Sequence, residues 1–206
     1  MIKKKYRKES DSMGSMNVPS DALYGAQTAR AIQNFPISNL RFNRAYIEAL
    51  GTIKFSAAKV NLDLKLINSN IAKSIMKAAD EVISGKHDSH FVVDIFQTGS
   101  GTSTNMNTNE VISTLANKYI NGKSKVHPND HVNLCQSSND VIPTAMYIAS
   151  YSLIIKSLIP SLKILQKELS KKAIKFDKIF KIGRTHLQDA TPITLGQEFG
   201  GYSSMV

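Results

Sequence analysis

The sequence predicts a mainly α fold. An amino-terminal, mostly helical domain covers residues 1–137, and residues 138–206 open a long-helix bundle. Three observations predict this. Apolar residues recur at steps of three and four through most of the chain. Residues that start and stop helices bracket those runs. One run, beginning near Ser138, continues far past ordinary helix length and needs partners for its apolar stripe.

Taken in order, "VPSDALYG" carries the turn residues Pro19, Asp21 and Gly25 ahead of a short helical pattern through Arg30. "NRAYIEALGTIKFSAAKVNLDL" sets Ile47, Leu50, Ile53, Ala57, Val60 and Leu64 on one stripe. "NSNIAKSIMKAADEVISG" is a second amphipathic helix, with Asn68 or Ser69 as its cap and Gly85 closing it. A third runs from about Ser103 to Asn121, with Gly122 in the stop position. The longest begins at "SSNDVIPTAM", where Ser138 or Asn139 can cap the first turn and Pro143 is expected to fall among the unpaired early amides. From Asp140 to Lys175 it would span roughly 54 Å if wholly helical. Pro160 is expected to interrupt and kink it. Thr194 to Val206 looks like the opening of one more bundle helix, so the sequence is expected to be part of a longer protein.

Composition sets the bounds. An apolar fraction of 42% over 206 residues supports a real core in one domain, or one and a part. The single cysteine, Cys135, cannot form an internal disulfide, which fits a reducing compartment, most simply the cytoplasm. No apolar stretch follows "MIKKKYRKES", as a secretory signal would require. "YIASYSLIIKSLIPSLKIL" is broken by Lys156, Lys163 and several serines, so no membrane span is expected. Net charge is +10. Lys3, Lys4, Lys5, Arg7 and Lys8 are expected to form a frayed terminus, and "KELSKKAIKFDKIFK" a solvated helix face. Neither comes with a nucleic-acid motif, so nucleic acid is not an expected partner.

Three polar clusters carry the chemistry. "FQTGSGTSTNMNTNE", residues 96–110, holds four threonines, two serines, three asparagines and no cation. Such density suits a pocket that holds a small anion with neutral donors, and "GSGT" precedes a predicted helix start. "VHPNDHVNLCQSSND" ends at another, where Ser137, Ser138 and Asn139 could meet an anion or simply cap. His127 and His131 are four apart, but Pro128 argues against a helix that would join them on a metal. His87 and His90 read as surface histidines, and Cys135 as a small buried apolar residue. "GRTHLQDATP" places His186 in a loop between helical segments. There it reads as a proton carrier or as a plain surface residue.

The phrases "QTGSGTSTNMNTNEVI", "VHPNDHVNLCQSSNDVIPTAM", "GRTHLQDATPITLGQEF" and "VPSDALYGAQTARAIQNFPIS" together resemble class II fumarase, of the fumarase/aspartase superfamily, from about Tyr6 onward. Aspartase resembles "NMNTNEVI" and "HPNDHVN" too. It typically carries glutamine at the place of His186 and differs at "GAQT" and "NFPIS", so an aspartase-like ammonia lyase is the alternative. The resemblance implies reversible hydration of fumarate to (S)-malate, a step of the tricarboxylic acid cycle, without metal or organic cofactor. It maps carboxylate binding onto Ser100, Gly101, Thr102, Ser137, Ser138, Asn139 and Thr185, and proton transfer onto His186. A second dicarboxylate site maps onto His127, Pro128, Asn129 and Asp130. It also implies a homotetramer with active sites shared between subunits. The family's mobile loop, a catalytic serine followed by Met-Pro-Gly-Lys-x-Asn, has no counterpart in these residues. The chain alone is therefore expected to be inactive, or to be a non-catalytic fragment that co-assembles with full-length subunits.

Overall fold

The computed structural model describes residues 5–120 and 124–206. Lys3, Lys4 and the helix stop expected at Asn121 and Gly122 lie outside the described residues. The fold is mainly α and divides into two compact units, Met1–Ser150 and Tyr151–Val206.

The first unit opens with a hairpin that the sequence reading missed. Strands β1 (Tyr6–Asp11) and β2 (Gly14–Pro19) pair antiparallel, with Asp11 opposite Gly14. Arg7, expected in a frayed terminus, instead donates to the carbonyls of Pro19, Ala22 and Tyr24 at 2.7–2.9 Å. One guanidinium thus ties the end of β2 to the turn that follows it. The strands carry few apolar residues, so no hydrophobic alternation betrayed them.

Helices α1 (Ala26–Asn34), α2 (Arg44–Asp63), α3 (Ser69–Ile83) and α4 (Thr102–Tyr119) follow. The caps are local where the sequence supplies them: Asn43 accepts from the Tyr46 amide and Asn68 from the Ile71 amide. Helix α1 begins at Gly25, which has no side chain to offer, and the Glu110 carboxylate of α4 does the work. A Cβ at Gly25 would lie 2.9 Å from Glu110 Oε1, so the bare backbone is what lets the carboxylate approach. The core between α2, α3 and α4 is built on Ile47, Ile75, Val82, Val111, Ile112 and Leu115.

The stripe expected on α2 holds for Ile47 and Leu50 and then turns away. Val60 and Leu64 are 53% and 63% exposed, and the buried line passes through Lys54, Ala58 and Asn61. Polar partners for Lys54 and Asn61 wait on that side, which apolar periodicity cannot detect.

Helix α5 (Ser138–Leu153) lays Val141, Ala145 and Ala149 against Tyr46, Ala49 and Leu50. Its cap is neither Ser138 nor Asn139. Ser137 takes that place, its carbonyl accepting from Val141 and its Oγ from the Asn139 amide at 3.2 Å. Pro143 consequently falls past the first turn, inside the helix. It leaves the carbonyl of Asn139, an exposed residue, without a helical donor.

In the second unit a π-helical turn, Ile154–Leu158, leads into α6 (Ile159–Lys175). Pro160 does not interrupt the helix, which is unbroken from Ser138 to Lys175. The widened turn just before the proline relieves the ring's clash with the carbonyl four residues back. By length and composition alone the helix could cross a membrane, with a mean hydropathy of 1.4 over 18 residues. Leu158 and Leu165 are about half exposed, at 50% and 48%, so its stripe is largely uncovered. Where a loop was expected, β3 (Phe180–Thr185) and β4 (Gln188–Thr194) form an antiparallel hairpin. Helix α7 (Leu195–Met205) follows and packs on α6, with the Phe176 and Phe199 rings 5.5 Å apart. Thr194 and Gln197 close its start as a reciprocal capping box.

Candidate active site

Two of the three polar clusters meet in the first unit. Ser100 Oγ lies 3.0 Å from Thr102 Oγ1, which lies 3.0 Å from Ser138 Oγ. Thr102 and Ser138 are the first residues of α4 and α5, so the chain of hydroxyls links two helix amino termini. No side chain caps α4 at Gly101, which leaves its first amides open to a ligand. Gly101 is required twice over. Its φ is +70°, and a Cβ there would sit 2.8 Å from the Ile142 side chain. Exposed hydroxyls and amides at the positive ends of two helices can hold a carboxylate without any fixed cation. Ser137 and Asn139 are exposed at the start of α5.

Most of the polar stretch 96–110 has another purpose. From Thr104 to Glu110 every residue is buried, and the side chains bond the protein itself. Gln97 donates to Thr104, Asn107 spans the Val92 amide and the His90 carbonyl, and Glu110 holds α1. The expectation that the whole stretch lines a pocket is therefore corrected: its exposed hydroxyls are confined to its opening, at Thr98, Ser100 and Thr102. A sequence shows the density of polar groups but not which of them the fold consumes.

The segment that leads into α5 is held by a group that the sequence reading missed. Lys54 is wholly buried, and its Nζ donates to Asn133 Oδ1 at 3.0 Å and Gln136 Oε1 at 2.9 Å. Burial pulls its ammonium from the ordinary 10.5 down to about 7. The unfolded lysine keeps its proton up to about pH 10.5, so between the two values the unfolded chain holds more protons. Raising the pH through that window favours the folded state by up to about 1.4 kcal/mol per pH unit; below pH 7 the burial penalty acts in full. Urea titrations at pH 7 and pH 9 should show wild type gaining about 2 kcal/mol relative to Lys54→Met. Equal pH slopes for the two proteins would refute the depressed ammonium.

The remaining candidates resolve individually. Pro128 opens one π-helical turn, Pro128–Val132, contrary to the expectation that it would prevent a helix, because the first helical position needs no amide. His131 Nδ1 accepts from the His127 amide, and His127 Nδ1 accepts from the Asp130 amide. Among the described residues no group of three His, Cys, Asp or Glu could hold a metal. Asn129 is exposed beside them. His87 and His90 are half-buried, not surface residues: His87 pairs with Glu81 at 2.8 Å, and His90 Nδ1 accepts from the Leu23 amide. Burial, with His87 nearby, lowers the His90 imidazolium from its ordinary range. Cys135 is exposed, contrary to expectation, in left-handed backbone at φ +58°.

In the second unit Thr185 and His186 are exposed on the β3–β4 hairpin. His186 and Leu187 form its two-residue turn, with φ of +50° and +60°. Such a turn favours Asn-Gly. A histidine and a leucine there, the latter 93% exposed, gain no packing in return for the backbone cost.

The sequence profile of a family described as "Lyase" matches residues 14–206. This chain belongs to that lyase family. It is 57% identical over 204 residues to a class II fumarate hydratase of Halobacterium salinarum, a match covering 98% of this chain and 43% of the relative. The corresponding protein of Nitrosomonas europaea is 55% identical, with 98% and 44% covered. Among solved structures, a class II fumarase from Schistosoma mansoni superposes with a TM-score of 0.90 at 44% identity, over 97% of this chain and 43% of that one. A fumarate lyase:delta crystallin from Brucella melitensis gives 0.91 at 41%, over 98% and 48%. The chain thus spans less than half the length of these lyase relatives.

Proposed function

We propose that this lyase chain is part of a fumarate hydratase, which adds water to fumarate to give (S)-malate and reverses that reaction. The observation that carries the reading is the hydroxyl chain Ser100–Thr102–Ser138 between two helix amino termini. Removing the proton next to a carboxylate piles charge onto that carboxylate as an aci-carboxylate. Preorganised donors stabilise this extra charge more than the ground state, and only such differential stabilisation speeds the step. Gly101, Ser137, Asn139 and Thr185 complete the proposed carboxylate contacts. His186 is the proposed proton carrier at the water or hydroxyl oxygen. His127, Pro128, Asn129 and Asp130 form the proposed second dicarboxylate site.

The place in the tricarboxylic acid cycle, the cytoplasm and the homotetramer with shared sites belong to the same proposal. So does the division at Ser137 and Ser138 into an amino-terminal lyase domain and a bundle domain. We read the long apolar helix as a bundle helix: its uncovered stripe suits association with other helices, and favours co-assembly with full-length subunits as a second reading.

The test is malate-to-fumarate conversion followed by absorbance, first with the chain alone and then with the remaining length of a family member supplied. Activity is expected only in the second case. In that completed protein Thr102→Val should lower kcat/KM for fumarate about tenfold, the worth of one lost hydroxyl contact. An unaltered kcat/KM would remove Thr102 from the site.

A further inference from the structure

We infer that Lys54 is a positioning residue: it holds the turn from Asn133 to Ser137, and through that turn fixes Ser138 against Thr102. The inference rests on reading that hydroxyl cluster as a dicarboxylate site.

A buried lysine ordinarily faces a carboxylate. Lys54 donates instead to two neutral amide oxygens that belong to one turn. Both amides are anchored at their other ends. Asn133 Nδ2 donates to the Gln136 carbonyl at 3.1 Å, and Gln136 Nε2 donates to the carbonyls of Val132 and Leu134. With their nitrogens committed, the two oxygens have a fixed direction, and Lys54 supplies what they need there. Lysine offers donors and no acceptor.

The same Asn133 oxygen also accepts from Asn105 Nδ2 at 3.0 Å and Asn109 Nδ2 at 3.2 Å, both on α4. Helix α4 begins at Thr102. The turn runs on through Cys135, in left-handed backbone, to Ser137, which caps α5. One acceptor oxygen, on the half-buried Asn133, therefore gathers α2, α4 and the lead-in to α5, and the two helices that bear the hydroxyls are registered on it. The interior is already rich in acceptors: Asn105 Oδ1 and Asn109 Oδ1 are buried without a donor. Removing Lys54 would take from the half-buried Gln136 side chain the donor its oxygen holds and weaken the hold on Asn133.

The test compares wild type, Lys54→Met and Gln136→Met by amide hydrogen exchange on the 206-residue chain. The Gln136 variant removes one of the two acceptors at a half-buried position, so it answers the question should Lys54→Met fail to fold. The amides of Gln136, Asn139 and Asp140, bonded within this segment, should exchange about ten times faster, while those of α3 keep their rates. Unchanged exchange in the segment, or acceleration spread evenly through α3, overturns the inference. In the completed, active protein Gln136→Met should raise the KM for fumarate about tenfold and lower kcat with it, whereas a plain loss of stability lowers the apparent kcat and leaves KM unchanged. If completed wild type hydrates no fumarate, the functional reading fails, and the exchange rates still decide whether Lys54 holds the turn.

Discussion

Replacing His186 by glutamine, in a protein completed to the family's length, should lower turnover about 10²- to 10⁴-fold and leave folding and yield unchanged. Glutamine keeps the hydrogen-bonding capacity of the site but cannot carry a proton near neutral pH, and general acid–base transfer is worth about that factor. The side chain is exposed on a hairpin turn, so little packing is lost with it. The backbone argues in the same direction. A non-glycine pair at φ +50° and +60° costs on the order of 1 kcal/mol or more per residue, and such costs persist where function holds them. The measurement is kcat for malate dehydration alongside a thermal unfolding curve. Equal kcat in the two proteins would make His186 a turn residue and nothing more. A fall in kcat that tracks a fall in melting temperature would count equally against it.

Glu110→Ala should destabilise the chain by about 3 kcal/mol. Its carboxylate accepts from the amides of Gly25 at 2.8 Å, Gln27 at 2.9 Å and Thr28 at 3.1 Å, at the positive end of α1. The residue is only 6% exposed, so water cannot readily replace it. Alanine would leave a helix start with neither a local cap nor a distant one. Glutamine should lose nearly as much, since it exchanges one acceptor for a donor facing donors. Urea denaturation of the three proteins at neutral pH checks this. A loss below about 1 kcal/mol for alanine would mean that α1 is held by its packing instead.

Neither effect was equally open to view from the sequence. His186 could be singled out because its neighbours Thr185, Gln188 and Asp189 made a polar cluster, and because the phrase around it resembles a known family. The hairpin that carries it could not, since Gln188 and Asp189 break apolar alternation. Glu110 stood in plain sight within a dense polar stretch. Nothing local says that its partner lies some eighty residues earlier, at a glycine that cannot cap its own helix. Lys54 was hidden by a rule that usually works: a lysine within an amphipathic pattern is assigned to the solvent face.

The sequence by itself determined the helices, the two ends of α3, and the family, because these depend on near neighbours and on long matched phrases. Asn68 capping α3 and Gly85 beyond its end, at φ +81°, are set within a turn or two of chain. Tertiary structure alone decided which polar side chains the interior consumes. Thr102 and Ser138 are 36 residues apart and touch, while Thr104 and Asn105, beside Thr102, are buried with other partners. A hydroxyl or amide has the same identity in either place. Whether it is spent on its own protein or left for a ligand depends on which donors and acceptors the fold brings within about 3 Å.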